Sequence, residues 1–367
     1  MDIYLIWLSE IRNIGNIIAK KLLKEFKTPK NIFDADKEEL MNIDGIGEKV
    51  AEIILNSKNE TINKAEAILK KCEKTNIKVL TINDLLYPSE VKNIKDSPIL
   101  LYYLGTITKD CMGVGIVGSR RCTSYGKKIA KEAAEFLAEN NISVISGMAK
   151  GIDGYSHTAC INAGGYTIAF LGSGVDLVYP KEHIKLMEKI IENGAVISEY
   201  PPGTKPYSKN FPKRNRLISA FSNKLLVVEA GEESGSLITA QFAKKYNREV
   251  VAVPNNIFSK ESRGCNKLIL NGATLYISQQ QLLDSYSNIT SKNKYCISNV
   301  VKNDLKVDHI EKVILNAINK EPKTIEQLQV IVNDDKVDVL EKLSLMELDG
   351  KIKIFRGKFY FTKTLGG

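Results

Sequence analysis

Gly113-Val114-Gly115-Ile116-Val117-Gly118-Ser119-Arg120 is the stretch on which the fold turns. A short run of small and β-branched residues stops at a glycine, a serine and an arginine, and an amphipathic segment, Tyr125 to Glu139, follows. An apolar run this short, bounded by a turn, reads as a buried strand leading into a helix. The unit then repeats. Ile142 to Ile145 precedes a helix over Asp153 to Ala163, and Thr167 to Leu171 precedes one over Glu182 to Glu192. Ala195 to Ile197, Lys224 to Glu229 and Val250 to Val253 continue the series. Such alternation predicts an α/β fold: a mostly parallel sheet with helices on both faces. Ligands of such sheets bind at the carboxyl ends of the strands.

Each of those ends carries a loop suited to an anion. Gly118, Ser119 and Arg120 offer close backbone approach, a hydroxyl and a guanidinium fork ahead of a helix N-terminus. Ser146-Gly147-Met148-Ala149-Lys150-Gly151-Ile152-Asp153 is the second loop, with Asp153 read as a helix cap and His157 as a packing residue. The third, Gly172-Ser173-Gly174-Val175-Asp176, leads to Tyr179-Pro180-Lys181, where Lys181 can meet a phosphate. The fourth, Gly231-Glu232-Glu233-Ser234-Gly235-Ser236, opens a helix whose amides and hydroxyls can cradle another. Gly113-x-Gly115-x-x-Gly118 has dinucleotide spacing, but its first two glycines fall inside the strand, so no nicotinamide or other cofactor is expected.

Between the third and fourth loops lies Phe211-Pro212-Lys213-Arg214-Asn215-Arg216. Three cations beside an aromatic ring suit a nucleic-acid strand: arginine forks onto phosphate and the ring stacks a base. The bland alternative is a solvated surface loop. The 367 residues carry a net charge of +9, which favours a polyanionic partner. The chain is 43% hydrophobic and 26% charged, in the range of globular proteins. No apolar run reaches the roughly 20 residues of a membrane helix, and Met1-Asp2-Ile3-Tyr4 does not open a signal peptide, so a cytoplasmic protein is expected. The six cysteines show neither zinc nor redox spacing.

The flanks differ from the centre. Residues 1–78 read as a helical unit with a helix-hairpin-helix pattern at Ile43 to Ala51 and a degenerate copy at Ile11 to Ala19. Such a hairpin either holds a DNA phosphate at its helix N-terminus or merely packs. Residues 79–285 form the sheet domain, 286–306 a polar linker, and 307–367 a small unit ending in two strand-like runs, Lys351 to Phe355 and Lys358 to Phe361, as in a winged helix.

In order and spacing, the loops from Gly118 to Asp176, Ser198-Glu199-Tyr200-Pro201-Pro202-Gly203, Phe211 to Arg216, and Ser234 to Ala240 resemble the DprA/Smf family of DNA-processing proteins over roughly 200 residues. The resemblance implies an extended Rossmann-like domain in a homodimer that binds single-stranded DNA, shields it during natural transformation and loads RecA recombinase onto it. It carries a DNA role onto Ser119, Arg120, Lys181, Phe211, Arg214 and Arg216, with Gly118, Gly147, Lys150, Lys213, Ser234 and Gly235 beside them. Asn215 either joins them or braces its segment. His183 stands where the family often has asparagine. The rival reading is a lysine-decarboxylase-like phosphoribohydrolase of nucleoside monophosphates. The carboxylate such an enzyme carries in its fourth loop is Thr239 here, and no nucleophile, base and orienting group form a set.

Overall fold

In the computed structural model, described residues are 2–109, 111–283 and 309–332, with 339, 343, 346, 352–355 and 358–361. They fall into two compact units, Met1–Asn293 and Lys294–Gly367. The expected linker over 286–306 lies outside the described residues.

The first unit begins with helices. These are α1 (Ile3–Glu10), α2 (Asn16–Phe26), α3 (Pro29–Asp34), α4 (Lys37–Met41) and α5 (Glu48–Lys74). Helix α1 buries Leu5, Ile6, Trp7 and Leu8 in succession, so it is enclosed rather than amphipathic. Gly15 and Gly47 stand at the N-caps of α2 and α5, the two places where the sequence suggested hairpins. The first hairpin is tied down. Asn16 donates to Glu199, 2.7 Å away, and Lys20 donates to the carbonyls of Lys92 and Ile94. Buried residues of these helices join those of the sheet in one continuous apolar core.

The sheet follows as β1 (Lys78–Thr81), α6 (Ser89–Lys92), β2 (Leu100–Gly105), β3 (Gly113–Val117), α7 (Ser124–Glu139), β4 (Ser143–Ser146), α8 (Ile152–Asn162) and β5 (Thr167–Phe170). A 3-10 turn, Lys181–His183, enters α9 (Ile184–Asn193), and then come β6 (Gly194–Ser198), α10 (Asn210–Phe221), β7 (Ser222–Val227), α11 (Gly235–Lys245), β8 (Glu249–Ala252), α12 (Arg263–Leu270) and β9 (Thr274–Leu275). Strands run β1-β2-β6-β5-β4-β3-β7-β8-β9. From β6 to β9 every neighbouring pair is parallel, and β1 and β2 complete one edge antiparallel. Strands β3, β4, β5 and β6 are buried along their whole length, as expected of a sheet covered on both faces.

The chain winds outward from β3 through β4 and β5 to β6, then returns to β7 beside β3 and winds the other way. The order therefore reverses between β3 and β7. At such a switch point the loops leaving adjacent strands diverge and open a crevice at their carboxyl ends. The second unit has helices His309–Lys320 and Ile325–Val332 and an antiparallel pair, Ile352–Phe355 with Lys358–Phe361. Ile314, Ile318, Leu328, Ile352 and Phe359 are among its core.

Candidate nucleic-acid interface

The crevice at the β3/β7 switch point is a groove of about 700 Å³. Its lining takes Gly118, Ser119 and Arg120 from the loop after β3, Phe211, Arg214 and Asn215 from α10, and Ser234 and Gly235 from the start of α11. A smaller cavity of about 60 Å³ adjoins it, where Gly147 and Lys150 meet Arg120, Tyr179 and Phe211. Ten of the thirteen expected residues thus converge on one face. Lys181 and Lys213 are exposed but line neither cavity, and Arg216 turns away from both.

The Phe211 to Arg216 segment is not the surface loop considered above. It forms the first turns of α10, and helical periodicity sorts its side chains between groove and interior. Phe211 faces the groove. Its ring centroid lies 5.2 Å from that of Tyr179 and 5.8 Å from the Arg120 guanidinium carbon. Arg120 is exposed and has no ion pair among the described residues. Tyr179, to which sequence reasoning gave no role, is 41% exposed and completes an aromatic pair at the groove wall. The available signal was an aromatic residue next to Pro180 and Lys181 in the loop after β5.

Arg214 and Arg216 are both engaged within the protein. Arg214 is 4% exposed, and its Nη1 donates to the carbonyls of Gly147 and Phe170 while Nε donates to Asn215 Oδ1. Burial lowers its pKa to about 10, opposed by the nearby Asp153 carboxylate, so it remains a cation at neutral pH. It fastens the ends of β4 and β5 to α10. Arg216 donates from Nη2 to both oxygens of Glu199, at 2.5 and 2.6 Å, and from Nη1 to the carbonyl of Asp96. Glu199 also holds Asn16, so Arg216 joins α10 to the N-terminal helices. Arg214 nonetheless lines both cavities, whereas Arg216 lines neither. A segment taken as a loop offered no periodicity by which to separate Arg214 from its neighbours.

The loops are shaped around these contacts. A Cβ on Gly147 would lie 2.3 Å from Arg214 Nη1, so the bare backbone lets the guanidinium cross beneath the loop. On Gly118 it would lie 2.6 Å from Ile152 Cγ1, so the first loop can lean on α8. Asp153 is not the expected N-cap, which is Gly151. Its Oδ2 accepts from the amides of Gly147 and Ala149 and braces the second loop. Burial raises its pKa, opposed chiefly by Arg214. His157 is fully buried, with Nδ1 2.7 Å from Thr167 Oγ1. That hydroxyl donates to Val144 O, so the imidazole proton sits on Nδ1. Burial is the main cause pushing the His157 pKa down to about 3.

Asn215 braces rather than points outward: its Nδ2 donates to the carbonyl of Gly235 at 3.1 Å. Ser234 caps α11 and accepts from the amide of Ser236. Ser119 Oγ accepts from the amide of Arg121 at 3.1 Å and keeps its own proton to donate. Glu229, unnoticed in the sequence, is fully buried below the first loop. It accepts from the amide and the hydroxyl of Thr123, the N-cap of α7. Among the described residues no cluster suits a metal ion, and no helix is long and apolar enough to cross a membrane.

Sheet order and groove together define an α/β protein of Rossmann-like build with a basic, aromatic-walled crevice at its switch point. The family described as DNA recombination-mediator protein A matches residues 78–287, and a helix-hairpin-helix motif matches 5–65. The chain belongs to that DprA/Smf family. It is 32% identical to Protein Smf of Synechocystis over 97% of either chain. It is 40% identical to DNA processing protein DprA of Streptococcus pneumoniae over 56% of this chain and 73% of that protein. The crystal structure of the pneumococcal DprA superposes with a TM-score of 0.67 at 33% identity, covering 77% of this chain and 97% of that one. The Helicobacter pylori DprA, whose structure describes a single-stranded DNA binding mode, gives a TM-score of 0.52 at 30% identity over 58% and 96%.

Proposed function

We propose that this chain binds and protects single-stranded DNA in the groove at the β3/β7 switch point, with little sequence preference, and loads RecA recombinase onto the strand during natural transformation and recombination in the cytoplasm. The observation that carries the reading is Phe211 paired with Tyr179 beside the exposed Arg120, inside the crevice of the sheet. A ring stacks any unpaired base, whereas a duplex keeps its base faces covered. Arg120, the Ser119 hydroxyl and the amides at the start of α11 address phosphate and sugar, which carry no sequence. Lys181 and Lys213, exposed next to lining residues, add further cations along the path. The helix-hairpin-helix at Gly47 and the second unit, with the winged-helix role expected of it, are left for partners or additional DNA.

Recombinase loading is supported by the family's description as a recombination mediator. A homodimer is part of the same proposal. Ile257, Phe258, Leu270 and Ile277, between 71% and 85% exposed, cluster in sequence around the edge strand β9. Exposed apolar groups beside an open sheet edge favour association. The role is binding rather than catalysis, since Thr239 occupies the place of the hydrolase carboxylate.

The test is fluorescence anisotropy of a labelled oligothymidine against matching duplex across a salt series. Single-strand binding is expected to weaken with salt at a log–log slope of about −0.7 per phosphate contact. Equal affinity for duplex overturns the reading, and turnover of a nucleoside monophosphate would put the hydrolase in its place. RecA nucleation on strands coated beforehand with single-strand-binding protein tests the loading step, with acceleration expected.

A further inference from the structure

Arg120 borders a second cleft. It has a volume of about 470 Å³ and lies between the loop after β3, helix α8 and the 3-10 turn before α9. Arg120, Arg121, Lys150, Tyr155, Glu182 and His183 are in its lining. Arg120 and Lys150 also line the small cavity beside Phe211, so the two spaces share a wall. Lys127, on α7, holds its Nζ 4.7 Å from the centroid of the Tyr155 ring.

We propose that a bound single strand runs on from the groove past Arg120 into this cleft, where Tyr155 stacks a second unpaired base and Arg121 and Lys127 meet the adjoining phosphates. The inference rests on the single-strand reading given above and extends it to a second subsite. Four observations favour an occupied cleft over a solvated basic face. The feature is concave and continuous with the groove through Arg120. Glu182, the carboxylate within it, is neutralised by an ion pair with Lys150. Arg121 and Lys127 are exposed and make no ion pair among the described residues. The Tyr155 ring is half-buried, so it is held in place before a base arrives and loses little freedom on stacking. Gly154 allows the depth, because a Cβ there would lie 3.0 Å from the His183 ring, which is itself held to the Met148 carbonyl.

Oligothymidines of about 4 to about 16 nucleotides, the range of known single-strand site sizes, separate the two subsites. The full chain is titrated beside Tyr155→Leu, Tyr155→Phe and the Arg121→Ala/Lys127→Ala double variant. Tyr155→Leu is expected to match wild type on the shortest strands and to fall about tenfold behind on the longest, with Tyr155→Phe restoring the loss. The double variant is expected to lower the salt slope by about 1.4 on long strands alone, two contacts at about 0.7 each. Variants that follow wild type at every length overturn the second subsite. So does a loss of equal size at every length, because that places the effect in the groove or the fold. Failure of the wild type to bind even long strands would instead remove the single-strand reading on which the subsite rests.

Discussion

Replacing Arg214 and replacing Arg120 with methionine should fail in opposite ways, although both guanidinium carbons lie close to the Phe211 ring centroid, at 5.9 and 5.8 Å. Arg214 is 4% exposed and supplies Nη1 to two carbonyls, those of Gly147 and Phe170, beside the buried Asp153 carboxylate. Its removal leaves both acceptors short of a donor and Asp153 without its nearby cation. Breaking one partner of a buried charge pair costs about 3–5 kcal/mol. Domains of this size lose about 2–4 °C of Tm per kcal/mol, so a fall of roughly 10 °C is expected. Arg120 is exposed and makes no described ion pair, so Arg120→Met should leave Tm within about a degree, surface changes being worth about 0.5 kcal/mol or less. Its cost should appear in oligothymidine affinity, with the salt slope reduced by about 0.7. Differential scanning fluorimetry and anisotropy, the latter well below the lower Tm, make the comparison. An Arg214→Met protein with unchanged Tm and abolished DNA binding would refute the reasoning, because the guanidinium would then have to face the strand.

Phe211→Ala should weaken single-strand binding by roughly tenfold and erase most of the preference over duplex, while Phe211→Trp should retain both, as read by anisotropy. His157 gives a pH signature: its folded pKa of about 3 lies below the ordinary 6.5, so the unfolded chain takes up a proton first as pH falls. The stability it contributes is complete above pH 6.5 and is lost downward towards pH 3, about 2 kcal/mol by pH 5, and His157→Asn should flatten that arm in urea titrations. Leu270→Glu, placed among the exposed apolar groups near β9, should shift the protein to monomer in sedimentation without lowering Tm.

The alternation of strands and helices was legible because a parallel sheet buried on both faces writes short apolar runs between amphipathic ones. Element ends moved by one or two residues, as with the helix expected from Asp153 and found as Ile152–Asn162. The positions of the loops were legible for a related reason: glycine at the ends of buried strands marks close approach, which Gly118 and Gly147 show. What a linear reading could not supply was direction. Lys213, Arg214 and Arg216 are alike as charges, and only the helical turn of α10 points the first to solvent, the second under Gly147 and the third to Glu199. Glu229 was silent for the opposite reason. It lies 106 residues from Thr123, and no local pattern marks a carboxylate whose task is to hold a distant cap.

That division bears on how the groove is built. Arg120, Phe211 and Tyr179, proposed above to meet the strand, sit on a frame whose polar groups are hydrogen-bonded within the protein. Arg214 secures the second loop from below, Asn215 holds the first turn of α11, and Glu229 secures the N-terminus of α7. These loops are therefore fixed by polar contacts within the protein, which lowers the ordering cost of the strand binding proposed above. Arg216 extends the same frame to the N-terminal helices through Glu199 and Asn16. Two of the cations that look most like a phosphate clamp in the sequence, Arg214 and Arg216, also hold the frame of the crevice together.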